Sequence, residues 1–151
     1  MPAILLSTLN ARYFHSSLGL RYLLANMGKL QANTAIREFI ITQRPLDGVY
    51  VWNVAETTQV VALLRRVRPD LVIVLGGPEV SHEWEEQPIV QLADHVITGP
   101  ADLAFARLCQ RLLADDPPVE KVIAAELPPL DRLTPPYRFY SDEDIAHRLI
   151  Y

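Results

Sequence analysis

Cysteine is nearly absent from this sequence, since Cys109 is the only one among 151 residues. An internal disulfide is therefore excluded, and a zinc or iron–sulfur centre held by several cysteines cannot be built from this chain alone. A chain without disulfides suits a reducing compartment, so a cytoplasmic protein is expected. The sequence also lacks a run of about 18 apolar residues and a signal-peptide pattern, so no membrane span is predicted.

Positive charge is in short supply as well. Lysine and arginine number 14 against 18 aspartates and glutamates, which leaves a net charge of −4. No basic stripe runs along the chain, so nucleic acid is not expected as a partner. Arg65, Arg66 and Arg68 form a cationic cluster at the end of a predicted helix, where positive charge opposes the helix dipole.

The common phosphate-binding and nucleophile motifs are missing. The sequence contains no G-x-G-x-x-G after the first strand, no G-x-x-x-x-G-K-[ST] and no G-x-S-x-G. A dinucleotide, a P-loop nucleotide and a serine nucleophile are therefore not predicted. No pair of carboxylates or histidines has a spacing that indicates a metal site, and no metal ligand or catalytic residue is assigned.

The stretch from Leu71 to Ser81 is the most informative part of what is present. Five consecutive aliphatic residues, 71–75, predict a strand that is buried on both faces, and Gly76, Gly77 and Pro78 end it. Glycine lets a ligand approach the backbone, and open α/β sheets bind ligands at the carboxyl ends of their strands. The stretch is either a tight turn after a core strand or the floor of a ligand site, and a large planar ligand would suit such a floor better than a small substrate.

Strand and helix patterns alternate along the chain, which predicts an α/β fold with a doubly wound parallel sheet of about five strands and helices on both faces. Predicted strands are 3–8, 35–42, 48–53, 71–75, 95–98 and 121–125. Predicted helices are 17–30, 56–66, 82–92 and 101–114. Ser16 or Ser17 is expected to cap the first, and residues 60, 61, 63 and 64 are expected to form the buried side of the second. Residues 1–126 are expected to form the domain, and the Pro-rich residues 127–151 a linker or surface arm.

The connection between the second and third predicted strands is unusually short. Only residues 43–47 separate them, whereas a parallel crossover needs a dozen or more residues. Either this pair is antiparallel, or a helix is missing between Asp47 and Gly48. We favour the missing helix, because a helical pattern separates the other predicted strands.

Four strand ends meet at one edge of the predicted sheet and supply the candidate ligand contacts. These are Asn10, Ala11 and His15; Tyr50, Trp52 and Asn53; Gly76, Gly77, Pro78, Glu79 and Val80; and Thr98 and Gly99. Structural roles remain open for several of them. His15 would equally bond the following helix, Tyr50 and Trp52 would equally suit the core, and Glu79 would equally be solvated.

Three segments, 8–18, 48–53 and 74–81, together resemble the N-terminal cobalamin (B12)-binding domain of B12-dependent radical SAM proteins. Residues 136–151 resemble the segment that leads into the radical SAM barrel in one subgroup. Some members of that subgroup are described as anaerobic magnesium-protoporphyrin IX monomethyl ester cyclases, which are oxidative cyclases.

The resemblance implies a flavodoxin-like (Rossmann-like) fold that holds the corrinoid at the strand ends, with its nucleotide tail beside Gly76 and Gly77. Gly48 stands where the family has the serine of a Ser-x-Leu pattern. The motif D-x-H-x-x-G is not matched around His15, so cobalt without a protein histidine ligand is expected. Methyl transfer or radical chemistry would take place in a C-terminal radical SAM domain that binds S-adenosylmethionine and a [4Fe-4S] cluster. The motif C-x-x-x-C-x-x-C is absent here, so this chain alone is not expected to cleave S-adenosylmethionine.

Two rival functions stay open. One is a non-catalytic flavodoxin-like interaction or receiver-type domain, although the end of the first strand, 7–10, offers no carboxylate for the magnesium of a receiver. The other is a domain that binds a different planar cofactor, such as a flavin. Separated from a neighbouring domain, the chain would expose an apolar face, which leaves a homodimer of the isolated domain open.

Overall fold

The computed structural model describes residues 2–10, 16–40 and 54–148. Their strands are β1 (Ile4–Asn10), β2 (Thr34–Ile40), β3 (Val74–Gly76), β4 (His95–Thr98) and β5 (Val122–Ala124). Their α-helices are α1 (Leu18–Ala25), α2 (Val54–Val67), α3 (Pro88–Leu92), α4 (Asp102–Leu113) and α5 (Asp142–His147). Short 3-10 turns span Gly28–Asn33, Pro78–Val80, Trp84–Glu86, Leu130–Arg132 and Tyr137–Phe139.

The strands form two small parallel sheets. In one, β1 pairs with β2, and in the other the order is β3-β4-β5. The prediction of a mixed α/β fold with parallel strands is confirmed, whereas a single sheet of about five strands is not what the described residues form. In a flavodoxin-like order a further strand would lie between β1 and β3. The segment predicted for that place, 48–53, and the short connection 43–47 both lie outside the described residues.

The three-stranded sheet carries helices on both faces, because side chains alternate along its strands. Val96 of β4 is buried in a cluster with residues of α2 and α3. The next residue, Ile97, is buried on the opposite face against Ala104 and Leu108 of α4. This sheet is therefore the middle layer of a three-layer α/β/α arrangement.

Helix α4 connects the two sheets. Beyond its contacts with Ile97, it presents Ala106 and Cys109 to a second cluster that contains Ile4 of β1 and Met27. Ile4 is the first residue of β1, and the α4 residues in its cluster lie one to two turns after the start of that helix. Burial raises the pKa of the Cys109 thiol to about 11, so this cysteine is a protonated core residue at neutral pH.

Three helices differ from their predicted extent or burial. Helix α1 ends at Ala25, short of Leu30, because Asn26 caps it with its backbone and its side-chain amide. The helix expected over 82–92 is a 3-10 turn followed by α3, since Glu83 is left-handed and Pro88 can only begin a helix. In α2, Val61 is buried while residues 60 and 63, both expected in the core, are largely exposed.

Arg65 of the cationic cluster has a structural role. Its guanidinium donates to the carbonyl oxygens of Leu71 and Leu92 and to the carboxylate of Asp94. These bonds fasten the end of α2 to the segment that enters β3 and to the end of α3. Arg68 pairs with Asp70 at the surface, so within this cluster the structural role belongs to Arg65.

Residues 126–148 form a surface arm, and from Thr134 onward this arm lies along α1. Thr134 exchanges two hydrogen bonds with Asn26 at the end of α1, and Arg138 donates to Gln31. The arm ends in α5, which begins with a capping box in which Ser141 and Asp144 bond each other's backbone. The Pro-rich segment is thus an arm docked on α1.

Truncation of Ile97 tests the position of the core. We expect Ile97→Ala to lower the free energy of unfolding by about 3 kcal/mol, because the side chain is buried between β4 and α4. The control Leu113→Ala removes an exposed side chain from α4 and is expected to cost about 0.5 kcal/mol or less. Urea unfolding followed by circular dichroism measures both, and equal losses would contradict the described core.

Candidate functional site

The chain turns sharply at the end of β3, where the sequence predicts a ligand floor. Gly76 ends the strand and is exposed, and Gly77 has φ 118° and ψ 172°, a conformation essentially restricted to glycine. Pro78 then starts a 3-10 turn, in which Glu79 faces solvent and the Val80 side chain is buried in the core. The turn therefore offers backbone at Gly76 and Gly77, while the Val80 side chain serves packing.

A serine that was not among the predicted site residues joins this turn to the next one. The Ser81 hydroxyl donates to the carbonyl oxygen of Gly77 (2.8 Å) and accepts from the backbone N–H of Gly99 (3.1 Å). Gly99 has φ +76°, and a Cβ there would lie 3.0 Å from the carbonyl oxygen of Ala125. The ends of β3, β4 and β5 are thus in close backbone contact. Residues 76, 77 and 99, together with Ser81, are called the glycine ridge below.

Of the remaining predicted contacts, two are described, at different sheets, and six are not. Thr98, half-buried at the end of β4, accepts a backbone bond from Ala125 and lies next to the glycine ridge. Asn10 ends β1 opposite Ile40 of β2, so it lies at the carboxyl end of the other sheet. Six further predicted residues lie outside the described part of the chain, namely Ala11, His15, Gly48, Tyr50, Trp52 and Asn53.

A second constellation lies where the arm reaches the start of α1. The buried Arg21 guanidinium contacts Glu38 of β2 at 3.2 Å and Asp144 of α5 at 3.0 Å, and it lies 4.7 Å from the Tyr140 ring. Arg148 approaches the same two carboxylates at 2.9 and 3.4 Å. Two cations and two carboxylates thus balance each other. We call these four charged residues the arm lock.

The Asp144 carboxylate is the most heavily bonded group of the arm lock. It accepts hydrogen bonds from the Ser16 hydroxyl, the Arg21 guanidinium, and the backbone and hydroxyl of Ser141. Burial acts to raise the pKa of Asp144, but the bonds donated by Ser141, Ser16 and Arg21 outweigh burial and hold the pKa well below its ordinary value. Asp144 is therefore a fixed anion at neutral pH.

Other surfaces of the described chain bring together none of the predicted contact residues. A groove of about 420 Å³ runs between α4 and edge strand β5 near Arg107 and Glu120, and none of the predicted contacts lines it. Within residues 2–10, 16–40 and 54–148, no group of three or more histidines, cysteines or acids is placed to hold a metal ion. In the same residues, no helix has the length and apolar character needed to cross a bilayer.

Alanine should destabilise the fold at Gly77 but have little effect on stability at Gly76. Gly77→Ala places a side chain in a glycine-only backbone region, so we expect a loss of about 1–3 kcal/mol in stability. At Gly76 the new Cβ would meet the Ile97 carbonyl oxygen at an ordinary 3.6 Å, so Gly76→Ala should stay within about 1 kcal/mol of wild type. Thermal and urea unfolding measure both, and equal effects would contradict the described turn.

The arm lock predicts a dependence of stability on pH. Asp144 has a lower pKa in the folded chain than its unfolded value of about 3.9, so its ionisation stabilises the fold fully above about pH 4. This contribution is lost as the pH falls through the lowered folded pKa. Asp144→Asn should cost about 2 kcal/mol at pH 7 and flatten the acid dependence of urea midpoints below pH 4.

Asp116→Asn is the control for that measurement, because Asp116 is highly exposed and pairs with Arg111 only at the surface. It should leave the pH profile close to that of wild type. Identical profiles for wild type and Asp144→Asn would contradict the role given to the buried carboxylate.

Comparison with known proteins assigns no family. No protein-family model, no curated protein and no solved structure gives a significant match to this chain. A functional proposal therefore depends on the geometry of the glycine ridge and the arm, and on the sequence patterns that fall on them.

Proposed function

We propose that this chain is a cobalamin-binding module that serves a B12-dependent radical SAM enzyme, with the corrinoid lying across the carboxyl ends of the strands. The observation that carries the proposal is the glycine ridge, where Gly76, Gly77 and Gly99 leave backbone without side chains at two adjacent strand ends. A wide, flat macrocycle needs a surface without side chains, and at Gly77 a side chain would enter open space, since nothing lies within 4 Å of an ideal Cβ there.

The chemistry of the ridge favours a neutral, planar ligand face over a small charged substrate. Glu79 is the ionisable side chain of the turn, and it is exposed to solvent. The Ser81 hydroxyl is already engaged by Gly77 and Gly99. Shape and backbone dipoles, rather than a charged side chain of this turn, would therefore select the ligand.

The chain's own residues would bind and orient the cofactor. Bound cobalamin would supply the methyl-transfer or radical chemistry, in concert with a C-terminal radical SAM domain that holds S-adenosylmethionine and a [4Fe-4S] cluster. Ser81 joins the turns after β3 and β4 through its two hydrogen bonds, and these bonds would fix how the ridge residues lie relative to each other. The arm supports such a two-domain arrangement, because it carries the chain along α1 to the carboxyl ends of β1 and β2.

An interaction domain is the rival that a specific observation favours. Leu5 and Phe39 lie on the same face of the β1–β2 sheet, and each is more than half exposed. Exposed apolar side chains on a sheet face are typical of protein contacts. Under this rival, a copy of the chain or another protein would bind there, and the ridge would be no more than a pair of turns.

Corrinoid retention separates the two functions. Purified chain is incubated with hydroxocobalamin, desalted, and examined by visible absorption, and the wild type should retain about one corrinoid per chain. Gly76→Val keeps an allowed backbone but adds a branched side chain to the ridge, so affinity should fall about tenfold or more. Leu113→Val, at the far end of α4, is the control and should bind as wild type does.

A folded wild-type chain that retains no corrinoid would contradict the proposal, and retention of flavin mononucleotide in a parallel sample would point to the other planar cofactor. Equal affinity of wild type and Gly76→Val would remove the ridge from the site. Sedimentation of the unliganded chain reports the homodimer that an interaction domain would form through Leu5 and Phe39.

The cobalt ligand is tested on the bound form. His15→Ala should leave the absorption bands of the bound corrinoid unchanged, because the family's histidine-ligand motif is not matched around this residue. The position of these bands depends on the axial ligand of cobalt. A band shift in His15→Ala, with Gly76→Val still impairing retention, would show ligation by His15 within the proposed site.

A further inference from the structure

The arm and the entry of α1 form one hydrogen-bonded unit. The arm begins beside Asn26, at the end of α1, and runs back along the helix to its start. There Asp144 accepts from the Ser16 hydroxyl at 2.9 Å, while Glu38 accepts from the backbone N–H of Ser17. The two residues at which the chain enters α1 are therefore held by two carboxylates, one of which belongs to the arm.

Arg21 joins these two carboxylates to each other. Four hydrogen bonds leave its guanidinium, to Glu38, Asp144 and the carbonyl oxygens of Ser17 and Phe139. Loss of one partner would leave the opposite charge buried without compensation, which is costly. The start of α1, the end of β2 and the arm consequently shift together or not at all.

The start of α1 also lies at the edge of the sheet where a ligand at the strand ends would bind. Ser16 and Ser17 lie at the carboxyl ends of β1 and β2, as the contact between Ser17 and Glu38 near the end of β2 shows. Ser16 is almost fully buried, so its hydroxyl depends on Asp144 for its bond. A displacement of Asp144 would therefore displace the backbone at this edge.

We infer that Asp144 is a positioning residue that couples docking of the arm to ligand binding at the carboxyl ends of the strands. This inference rests on the proposed function, since the ligand is the corrinoid proposed above. Coupling is reciprocal: if a docked arm favours the binding conformation, the bound ligand favours the docked arm by the same factor. The arm would then report occupancy of the site to whatever follows residue 148.

The first test measures the coupling from the ligand side. Asp144→Asn and Ser16→Ala should weaken hydroxocobalamin binding by about tenfold and about threefold respectively, and the tenfold effect lies within common coupling strengths. Ser16→Ala removes one hydroxyl and keeps the charges, so it remains informative if Asp144→Asn is poorly folded. Arg138→Ala removes the exposed bond to Gln31 and the stacking on the neighbouring Phe139 ring but leaves the arm lock intact, so it should bind within about twofold of wild type.

The second test measures the coupling from the arm side by hydrogen–deuterium exchange. Without ligand, Asp144→Asn should speed exchange in residues 16–25 as well as in the arm, while α4 exchanges as in wild type. Saturating hydroxocobalamin should slow exchange of residues 134–148 about fivefold in wild type and not in Ser16→Ala, a difference that a purely structural bond would not produce.

The outcomes separate the inference from the proposed function. Absence of corrinoid binding by wild type refutes the proposed function and with it the coupling to corrinoid, whereas the exchange of residues 16–25 still decides whether Asp144 positions α1. Normal affinity in both variants, with wild type binding well, overturns the coupling alone. Unchanged exchange at residues 16–25 in Asp144→Asn also overturns it.

Discussion

Arg21 is a buried cation on which two distant parts of the chain depend. Its helix contacts β1 and β2, and within the arm the buried residues are Pro128, Pro136 and Asp144. The guanidinium supplies a fixed, planar fork of donors that bonds a carboxylate of β2 and a carboxylate of the arm at once. Arg148 adds the second positive charge, so the four charged groups are neutral as a set. The arm is thereby part of the domain and lies along α1 in one register.

Helix α4 has the corresponding role in the apolar interior. One of its faces covers the β3-β4-β5 sheet around Ile97, and residues further along meet Ile4 and Met27. Ile4 of one sheet and Ile97 of the other thus pack on the same helix. The glycine ridge follows strands of the three-stranded sheet, the arm lock includes Glu38 of the other sheet, and α4 packs against residues of both sheets.

The sequence was most informative where a local pattern is complete within a few residues. Predicted ranges 95–98, 101–114 and 121–125 agree within one residue at each end with β4, α4 and β5. The turn at Gly76 and Gly77 was also predictable, since an aliphatic run that ends in two glycines and a proline admits few structures. Ser17 was named beforehand as one of two candidate caps for α1, and its side chain accepts from the Leu20 backbone.

Long-range partners were out of reach of such patterns. Arg21 falls within a run of apolar residues and would ordinarily point to solvent, and its partner Asp144 lies 123 residues away. Ser81 gains its role only when Gly99 is beside it, 18 residues further on. The burial of α2 was misjudged because valines and leucines occur on both sides of that helix. Of the fourteen predicted contacts, seven lie at the ridge or next to it. These are residues 76–80, Thr98 and Gly99.

Two ionisable groups of the described residues, Asp144 and Cys109, are poorly suited to act in a reaction at neutral pH. A general base must accept a proton near neutral pH, but Asp144 has a strongly lowered pKa and its oxygens are already occupied by donors. A thiol nucleophile must ionise, but burial raises the pKa of Cys109 and the core encloses it. The ridge itself consists of backbone and one satisfied hydroxyl. On the proposed function, the ridge would bind and orient a cofactor, and bond making and breaking would be left to that cofactor and to a partner domain.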